Sequence, residues 1–143
     1  MRQFTHLGGA RFTIGLPRAV LVLVQGERKV GLAMPAANAL SHLAVQVLKR
    51  VVRRARPCDA TGQALALIDL PDPFSFPSGH AAAATALAVT ASVAHPWLSP
   101  LVLPLGGMIA ASRVMLRVHH LSDVVAGATL GAAAAVVVAL SLL

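Results

Sequence analysis

Residues 112–123, SRVMLRVHHLSD, separate two long apolar runs near the C-terminus of the chain. They hold two Arg, two His and one Asp in a sequence that is 57% hydrophobic and 3% aromatic. Ionisable groups at membrane depth or at its edge are costly and are usually paired or functional. We therefore interpret this stretch as the floor of a site, placed at the turn between two membrane helices.

His119 and Asp123 lie four residues apart in this stretch. If both lie on one helical face, the carboxylate can accept the imidazole Nδ1 proton and leave Nε2 free to attack. The alternative is a juxtamembrane basic loop whose Arg residues meet lipid headgroups and whose Asp caps the next helix. The rest of the chain decides between these interpretations.

The composition indicates an integral membrane protein rather than a soluble enzyme. The 143 residues are 12% charged with a mean hydropathy of +0.75, and their length predicts a single domain over residues 1–143. The formal charge is +7, but the basic residues flank apolar segments and no aromatic side chains alternate with them to stack bases. We expect a phosphate-bearing partner and no nucleic acid. The single Cys58 forms no intrachain disulfide.

Four apolar segments predict an all-α, multi-pass transmembrane helical bundle, and the first and last of them are long enough to cross a bilayer. Residues 12–25 form a weaker segment that fits either a fifth, short span or an interfacial helix. The four predicted spans are Val30–Leu48, Ala81–Ala94, Ser99 to about Ala111, and Val124–Leu143.

A basic run, KRVVRRARP at residues 49–57, follows the first of these spans. Lys49 and Arg56 are nearly two helical turns apart, so both are predicted to project to one side before Pro57 stops the helix. Arg50, Arg53 and Arg54 are more simply explained as a positive-inside anchor.

The sequence FPSGH at residues 76–80 precedes the Ala-rich span. Ser78 is a good N-cap, and the N–H groups and dipole of a helix N-terminus suit an anion. Gly79 lets a ligand approach the backbone closely. The alternative is an ordinary capped helix start that happens to be followed by His80.

The predicted topology puts these three polar clusters on the same membrane face, because an even number of crossings separates them. A site made of cations, a helix N-terminus, two His and one Asp suits phosphoryl transfer. Gly127 and Gly131 form a GxxxG that permits close helix contact within the bundle or between chains. We favour the intramolecular use and leave a homo-oligomer open. The predicted site contains Lys49, Arg56, Ser78, Gly79, His80, Arg113, His119 and Asp123.

The three motifs, spread over residues 49–123, resemble the signature motifs of the type 2 phosphatidic acid phosphatases (PAP2), which share their site with vanadium haloperoxidases. The resemblance implies that His119 is a nucleophile forming a phosphohistidine, that Asp123 orients it, and that His80 protonates the leaving oxygen and later activates water. It also implies no metal and no cofactor. The implied phosphate ligands are Lys49, Arg56, Arg113, Ser78 and the Gly79 N–H. His120 receives no role.

The resemblance implies hydrolysis of a phosphomonoester or terminal pyrophosphate on a lipid such as phosphatidic acid, phosphatidylglycerophosphate or a polyprenyl carrier. The expected partners are this lipid substrate and the surrounding membrane lipids. A haloperoxidase-like activity is one alternative, although those relatives are larger and soluble. A non-catalytic lipid-binding membrane subunit is another, but such a protein should have lost His119, His80 or Asp123, and all are present.

Membrane members of this family usually have six spans, so the helices before the first motif look reduced here. We expect a multi-pass protein of the cell (inner) membrane. If residues 12–25 span the bilayer, most Lys and Arg residues lie on the face of the site, with Arg28 and Lys29 opposite. The positive-inside rule then favours a cytoplasmic site, whereas many bacterial relatives face outward.

Overall fold

Four α-helices make up the regular structure in the residues that the computed structural model describes, which are 28–59, 61–63, 65–68 and 72–143. A short 3₁₀ helix, Pro96–Leu98, joins the second and third helices. The predicted segment at residues 12–25 lies outside the described residues. The helices are α1 (Arg28–Val52), α2 (Gly79–Ala94), α3 (Ser99–Met115) and α4 (Leu121–Leu142).

The Ala-rich helix α2 lies at the centre and packs against α1, α3 and α4, and α1 also packs against α4. The residues at these contacts are small, with Ala33, Ala37, Ala86 and Ala135 fully buried in one cluster. Small side chains let helix backbones approach closely, and membrane helices associate largely through such van der Waals packing. Apolar residues occur on every face of α2 rather than on one face, because the helix packs against neighbours on several sides.

Gly127 and Gly131 on α4 face the backbone of α2. A Cβ at Gly127 would overlap the carbonyl oxygen of Ser78, and a Cβ at Gly131 would overlap that of Ala82. Glycine is therefore required at both positions for the two helices to meet at this distance. The GxxxG serves contact within the bundle, as predicted, and it brings the start of α4 against the start of α2.

The outward surfaces of the helices are apolar, as a membrane protein requires. Leu43 is 63% exposed, Met108 68% and Leu140 86%. By length and composition, α1, the segment Pro96–Met115 and α4 can each cross a membrane, and α2 is a shorter apolar helix. The prediction of a multi-pass helical membrane protein is confirmed.

The prediction that the first helix continues to Arg56 is wrong. Helix α1 ends at Val52, because Arg53 takes a left-handed conformation with φ of 49°, which commonly terminates helices. The chain then runs extended, and Ala55 forms an antiparallel bridge with Phe74. Arg54 and Arg56 flank this bridge and contact Asp123 and Asp72, respectively.

Candidate active site

Lys49, in the last turn of α1, is buried and fully hydrogen-bonded. Its Nζ lies 2.9 Å and 2.8 Å from the two carboxylate oxygens of Asp72 and 3.3 Å from the carbonyl oxygen of Phe74. An ammonium has three protons to donate, so these three acceptors use all of them.

Arg56 reaches the same aspartate from the extended segment. Its Nη2 lies 3.2 Å from Asp72 Oδ1, and its Nε donates to the Asp72 carbonyl oxygen at 3.0 Å. Its Nη1 donates to the carbonyl oxygen of Val118 at 2.9 Å, next to His119. Lys49 and Arg56 thus meet at Asp72 rather than through helical spacing.

Asp72 is a residue of this cluster to which we gave no role from the sequence. Burial favours the neutral carboxyl and raises its pKa, but hydrogen bonding from Lys49 and the charges of Lys49 and Arg56 outweigh burial and lower the pKa of Asp72 below its usual value. Asp72 is therefore an anion that neutralises part of the positive charge. Its position before FPSGH carried no signal of this pairing, because the contact joins residues 23 apart.

The start of α2 is capped as predicted and fixed to α4. The Ser78 Oγ accepts a hydrogen bond from the Ala81 N–H at 3.4 Å, and the Ser78 N–H donates to the carbonyl oxygen of Asp123 at 2.9 Å. Gly79 and His80 are the first two residues of the helix.

The His80 imidazole lies within the electrostatic influence of three cations, Arg113, Lys49 and Arg56. These cations come from the end of α3, the end of α1 and the extended segment. The start of α2 therefore faces positive side chains from three parts of the chain.

Arg113 connects the end of α3 to His119. Its side chain is buried, with Nε and Nη2 at 3.1 Å and 3.0 Å from Ser112 Oγ. Its carbonyl oxygen accepts the N–H groups of Val118 and His119 at 3.2 Å and 3.3 Å. The tight turn after α3 therefore holds the backbone of His119 against Arg113, whose guanidinium is one of the cations of the site.

The carboxylate of Asp123 is shared between two histidines. His119 Nδ1 lies 3.7 Å from Asp123 Oδ2, which is longer than a hydrogen bond, and in the described residues this buried nitrogen has no hydrogen-bond partner. His120 precedes α4 as its N-cap, and its N–H and Nδ1 lie 2.8 Å and 3.2 Å from the same oxygen. Because α4 begins only at Leu121, Asp123 turns back to cap the helix start.

His120 therefore contacts Asp123, a contact that its place in the sequence does not indicate. Catalytic hydrogen bonds are often long in unliganded structures, so the 3.7 Å separation still allows Asp123 to align His119.

His119 is a neutral imidazole at neutral pH. Burial and the charge of Arg56 outweigh the opposing influence of the Ser75 backbone and Asp123, and they lower the pKa of His119 to about 4. A neutral imidazole has one nitrogen lone pair free for attack on an electrophile.

Arg54 is the clearest correction to the sequence interpretation, which treated it as a membrane anchor. Its Nη1 lies 2.9 Å from Asp123 Oδ1 and 2.7 Å from Ser122 Oγ. The extended conformation after Arg53 directs this side chain to the start of α4. The only indication in the sequence is that Arg54 lies two residues before Arg56. This spacing indicates a place near the site only if the segment is known to be extended.

The eight residues predicted for the site lie at one end of the bundle. Hydrogen bonds or electrostatic interactions link the polar groups of these residues. Arg54, Asp72 and His120 join them. Within the described residues, no group of three or more His, Cys, Asp or Glu side chains is arranged to hold a metal ion. Cations, a helix N-terminus and two imidazoles at one place can bind an oxyanion and transfer protons or a phosphoryl group to and from it.

The chain is similar in sequence to two phosphatases of known name. It is 38% identical over 131 residues to the decaprenylphosphoryl-5-phosphoribose phosphatase of Mycolicibacterium smegmatis, covering 88% of this chain and 68% of that protein. It is 31% identical over 114 residues to the undecaprenyl-diphosphatase of Sulfolobus acidocaldarius, covering 79% of this chain and 55% of that protein. The chain thus spans between about half and two thirds of the length of these relatives.

A solved structure has the same fold. The transmembrane PAP2 type phosphatidylglycerolphosphate phosphatase from Bacillus subtilis matches with a TM-score of 0.73 and 31% identity, covering 94% of this chain and 70% of that one. The family model of the PAP2 superfamily matches residues 30–142, which include every residue of the site. The chain belongs to the PAP2 superfamily.

Proposed function

We propose that this chain is an integral membrane phosphatase that hydrolyses a phosphomonoester or terminal pyrophosphate of a lipid through a phosphohistidine at His119. The observation that supports it most directly is that Arg56 shares Asp72 with Lys49 and donates to the Val118 carbonyl next to His119, at the end of the bundle where His80 begins α2. In the proposed reaction, a phosphoryl group held by these cations has one imidazole on each side. This arrangement suits two successive displacements at one phosphorus atom.

In the first step, Nε2 of His119 attacks phosphorus while the bond from phosphorus to the lipid oxygen breaks. The negative charge of the bound phosphate favours the imidazolium form of His80. This imidazolium gives its proton to that oxygen, and the lipid product leaves. In the second step, His80 takes a proton from water, the resulting hydroxide attacks phosphorus, and the P–N bond breaks. His119 is restored, and orthophosphate is released.

The cations and the start of α2 stabilise the transferred group. Arg113 and Arg56 donate to phosphate oxygens, and the N–H of Gly79 adds the positive end of a helix dipole. Lys49 already donates to Asp72 and Phe74, so a phosphate oxygen takes the place of one of these acceptors. Asp72 thereby keeps the ammonium in position while the site is empty.

The substrate carries an apolar tail. Exposed leucines and methionines cover the outer faces of the helices that surround the site, and the names of two relatives contain a polyprenyl group. Polyprenyl phosphates and diphosphates are therefore the first substrates to test, followed by phosphatidic acid and phosphatidylglycerophosphate.

The purified chain should release phosphate from at least one of these lipids in detergent micelles, and EDTA should leave the rate unchanged. Metal is not needed because arginine, lysine and backbone N–H groups supply the positive charge. Phosphate release with and without EDTA is the measurement. Failure to hydrolyse any lipid phosphate, or dependence on added divalent metal, would refute the proposal.

We propose that the site lies on the cytoplasmic face of the cell membrane. Among described basic residues that are not in the site, Arg50, Arg53 and Arg117 lie at the site's end of the helices, and Arg28 and Lys29 lie at the other end of α1. An excess of basic residues marks the cytoplasmic side.

The exposed thiol of Cys58 lies at the site's end and offers a direct test. A membrane-impermeant maleimide should fail to label intact cells and should label Cys58 after permeabilisation, with a Cys58→Ser chain as the unlabelled control. Labelling of Cys58 in intact cells would place the site outside.

A further inference from the structure

We infer that Arg54 is a positioning residue, whose guanidinium fixes the carboxylate of Asp123 in the orientation that aligns His119. The inference rests on the proposed function, because it assigns Arg54 a part in the same reaction. It follows from the contact between the extended segment after α1 and the first turn of α4, which joins residues 69 apart in the sequence.

Asp123 needs a charged partner. It is 0% exposed, and a buried carboxylate is strongly disfavoured unless it is paired. His119 and His120 pair with it as cations only when they are protonated. Arg54 is charged at every relevant pH. In the described part of the chain, Arg54 is thus the permanent counter-ion of Asp123.

The two oxygens of Asp123 are held from different sides. Oδ1 accepts from Arg54 Nη1 at 2.9 Å, and Oδ2 accepts from the His120 N–H at 2.8 Å. These two bonds fix the plane of the carboxylate, and Oδ2 is the oxygen that faces His119 Nδ1. Without Arg54, Oδ1 would lose this hydrogen bond and the carboxylate would be held only at Oδ2. The carboxylate could then rotate about the Oδ2 contact.

Arg54 is itself rigidly placed. Its carbonyl oxygen accepts the N–H of Ser75 at 2.8 Å, and the neighbouring Ala55 carbonyl accepts the Ser75 hydroxyl at 2.8 Å. Ser75 is fully buried. The guanidinium donates to Ser122 and Asp123. It does not donate to Asp72, the aspartate that Lys49 and Arg56 share. Loss of Arg54 should therefore slow the chemical step more than it weakens substrate binding.

The test compares Arg54→Gln and Arg54→Lys with the wild-type chain, and Arg50→Gln is the matched control. Arg50 belongs to the same basic run and is exposed, so its replacement removes a similar charge without touching Asp123. Arg54→Gln should lower kcat by about 10- to 100-fold, as expected for one lost hydrogen bond to a charged group, with KM within about threefold of wild type. Arg54→Lys should recover part of kcat, and Arg50→Gln should behave as wild type.

The pH profile separates positioning from a purely structural role. Arg56 and Lys49 disfavour protonated His119, whereas Asp123 and the Ser75 backbone favour it. His120 faces the same carboxylate oxygen of Asp123. Removing the Arg54 cation leaves the negative charge of Asp123 less compensated, which favours protonated His119. The acid limb of kcat/KM in Arg54→Gln should therefore move to higher pH. A variant that merely unfolds more easily would lose active protein without moving this limb.

The inference is overturned if Arg54→Gln keeps wild-type kcat, if its defect lies in KM alone, or if the acid limb stays in place. Should Arg54→Gln fail to fold, Arg54→Lys decides by kcat and KM. It retains the charge, so its acid limb should stay in place, but it changes the geometry of the contact, so wild-type kcat or a defect in KM alone would overturn the inference. If the wild-type chain hydrolyses no lipid phosphate, the proposed function fails, and the inference that rests on it fails as well. An active wild type with an equally active Arg54→Gln refutes the inference alone.

Discussion

His119→Ala should abolish phosphate release, lowering kcat by about four orders of magnitude or more, because loss of a nucleophile removes the covalent route entirely. The bundle should remain folded. The side chain of His119 makes no hydrogen bond in the described residues through its buried Nδ1, and the bond from its backbone N–H to Arg113 is kept. Phosphate release from a lipid phosphate and thermal unfolding in detergent measure the two effects.

His42→Ala is the matched control for this variant. His42 is an exposed histidine on α1 that contacts Gln46 and lies outside the site. Its replacement should leave kcat within about twofold of wild type, since exposed residues away from a site have small effects. A His119→Ala chain that retains a tenth of the wild-type rate would remove His119 from the role of nucleophile.

His80→Ala should lower kcat on a lipid phosphate by about 10²- to 10⁴-fold, the usual contribution of a general acid or base. The defect should depend on the leaving group. An aryl phosphate with a good leaving group needs little protonation, so the first displacement should stay fast while hydrolysis of the phosphoenzyme becomes slow. The expected result is a burst of about one aryl alcohol per enzyme in the stopped-flow record, followed by slow turnover.

The burst distinguishes the proposed role of His80 from a role in substrate binding alone. A binding defect would raise KM for both substrates and produce no burst. Equal loss of kcat on the lipid and the aryl phosphate, without a burst, would contradict the assignment of His80 as acid and then base. The burst is expected because His80, the second residue of α2, is proposed to protonate the leaving oxygen first and to activate water afterwards.

The helices and the meeting of the three motifs could be predicted from the sequence, because uncharged runs long enough to cross a bilayer leave few topologies. The four predicted spans correspond to α1–α4, with ends that differ by a few residues, but in the described residues α2 is shorter than the three segments that can cross a membrane by length and composition. Gly127 and Gly131 could be assigned to a helix contact because a GxxxG permits close approach.

The contacts inside the site could not be predicted, since they depend on how the chain leaves α1. Arg53 was expected to be helical, and its left-handed conformation has no signal in a run of basic residues. This turn directs Arg54 toward Asp123 and Arg56 toward Asp72, so one backbone angle decides which basic side chains reach the site. The pairing of Asp72 with Lys49 is a tertiary contact that neither spacing nor composition specifies.

The most direct test of the proposed mechanism is to trap the phosphoenzyme. Wild-type chain mixed with a radiolabelled lipid phosphate and quenched in alkali should carry label on the peptide that contains His119, and this label should be stable in base and lost in acid, as a phosphoramidate is. With a radiolabelled aryl phosphate, whose good leaving group needs little protonation, the label should accumulate in His80→Ala. It should be absent from His119→Ala with either substrate. Label on another residue, or full turnover of His119→Ala, would contradict the assignment of His119 as the nucleophile.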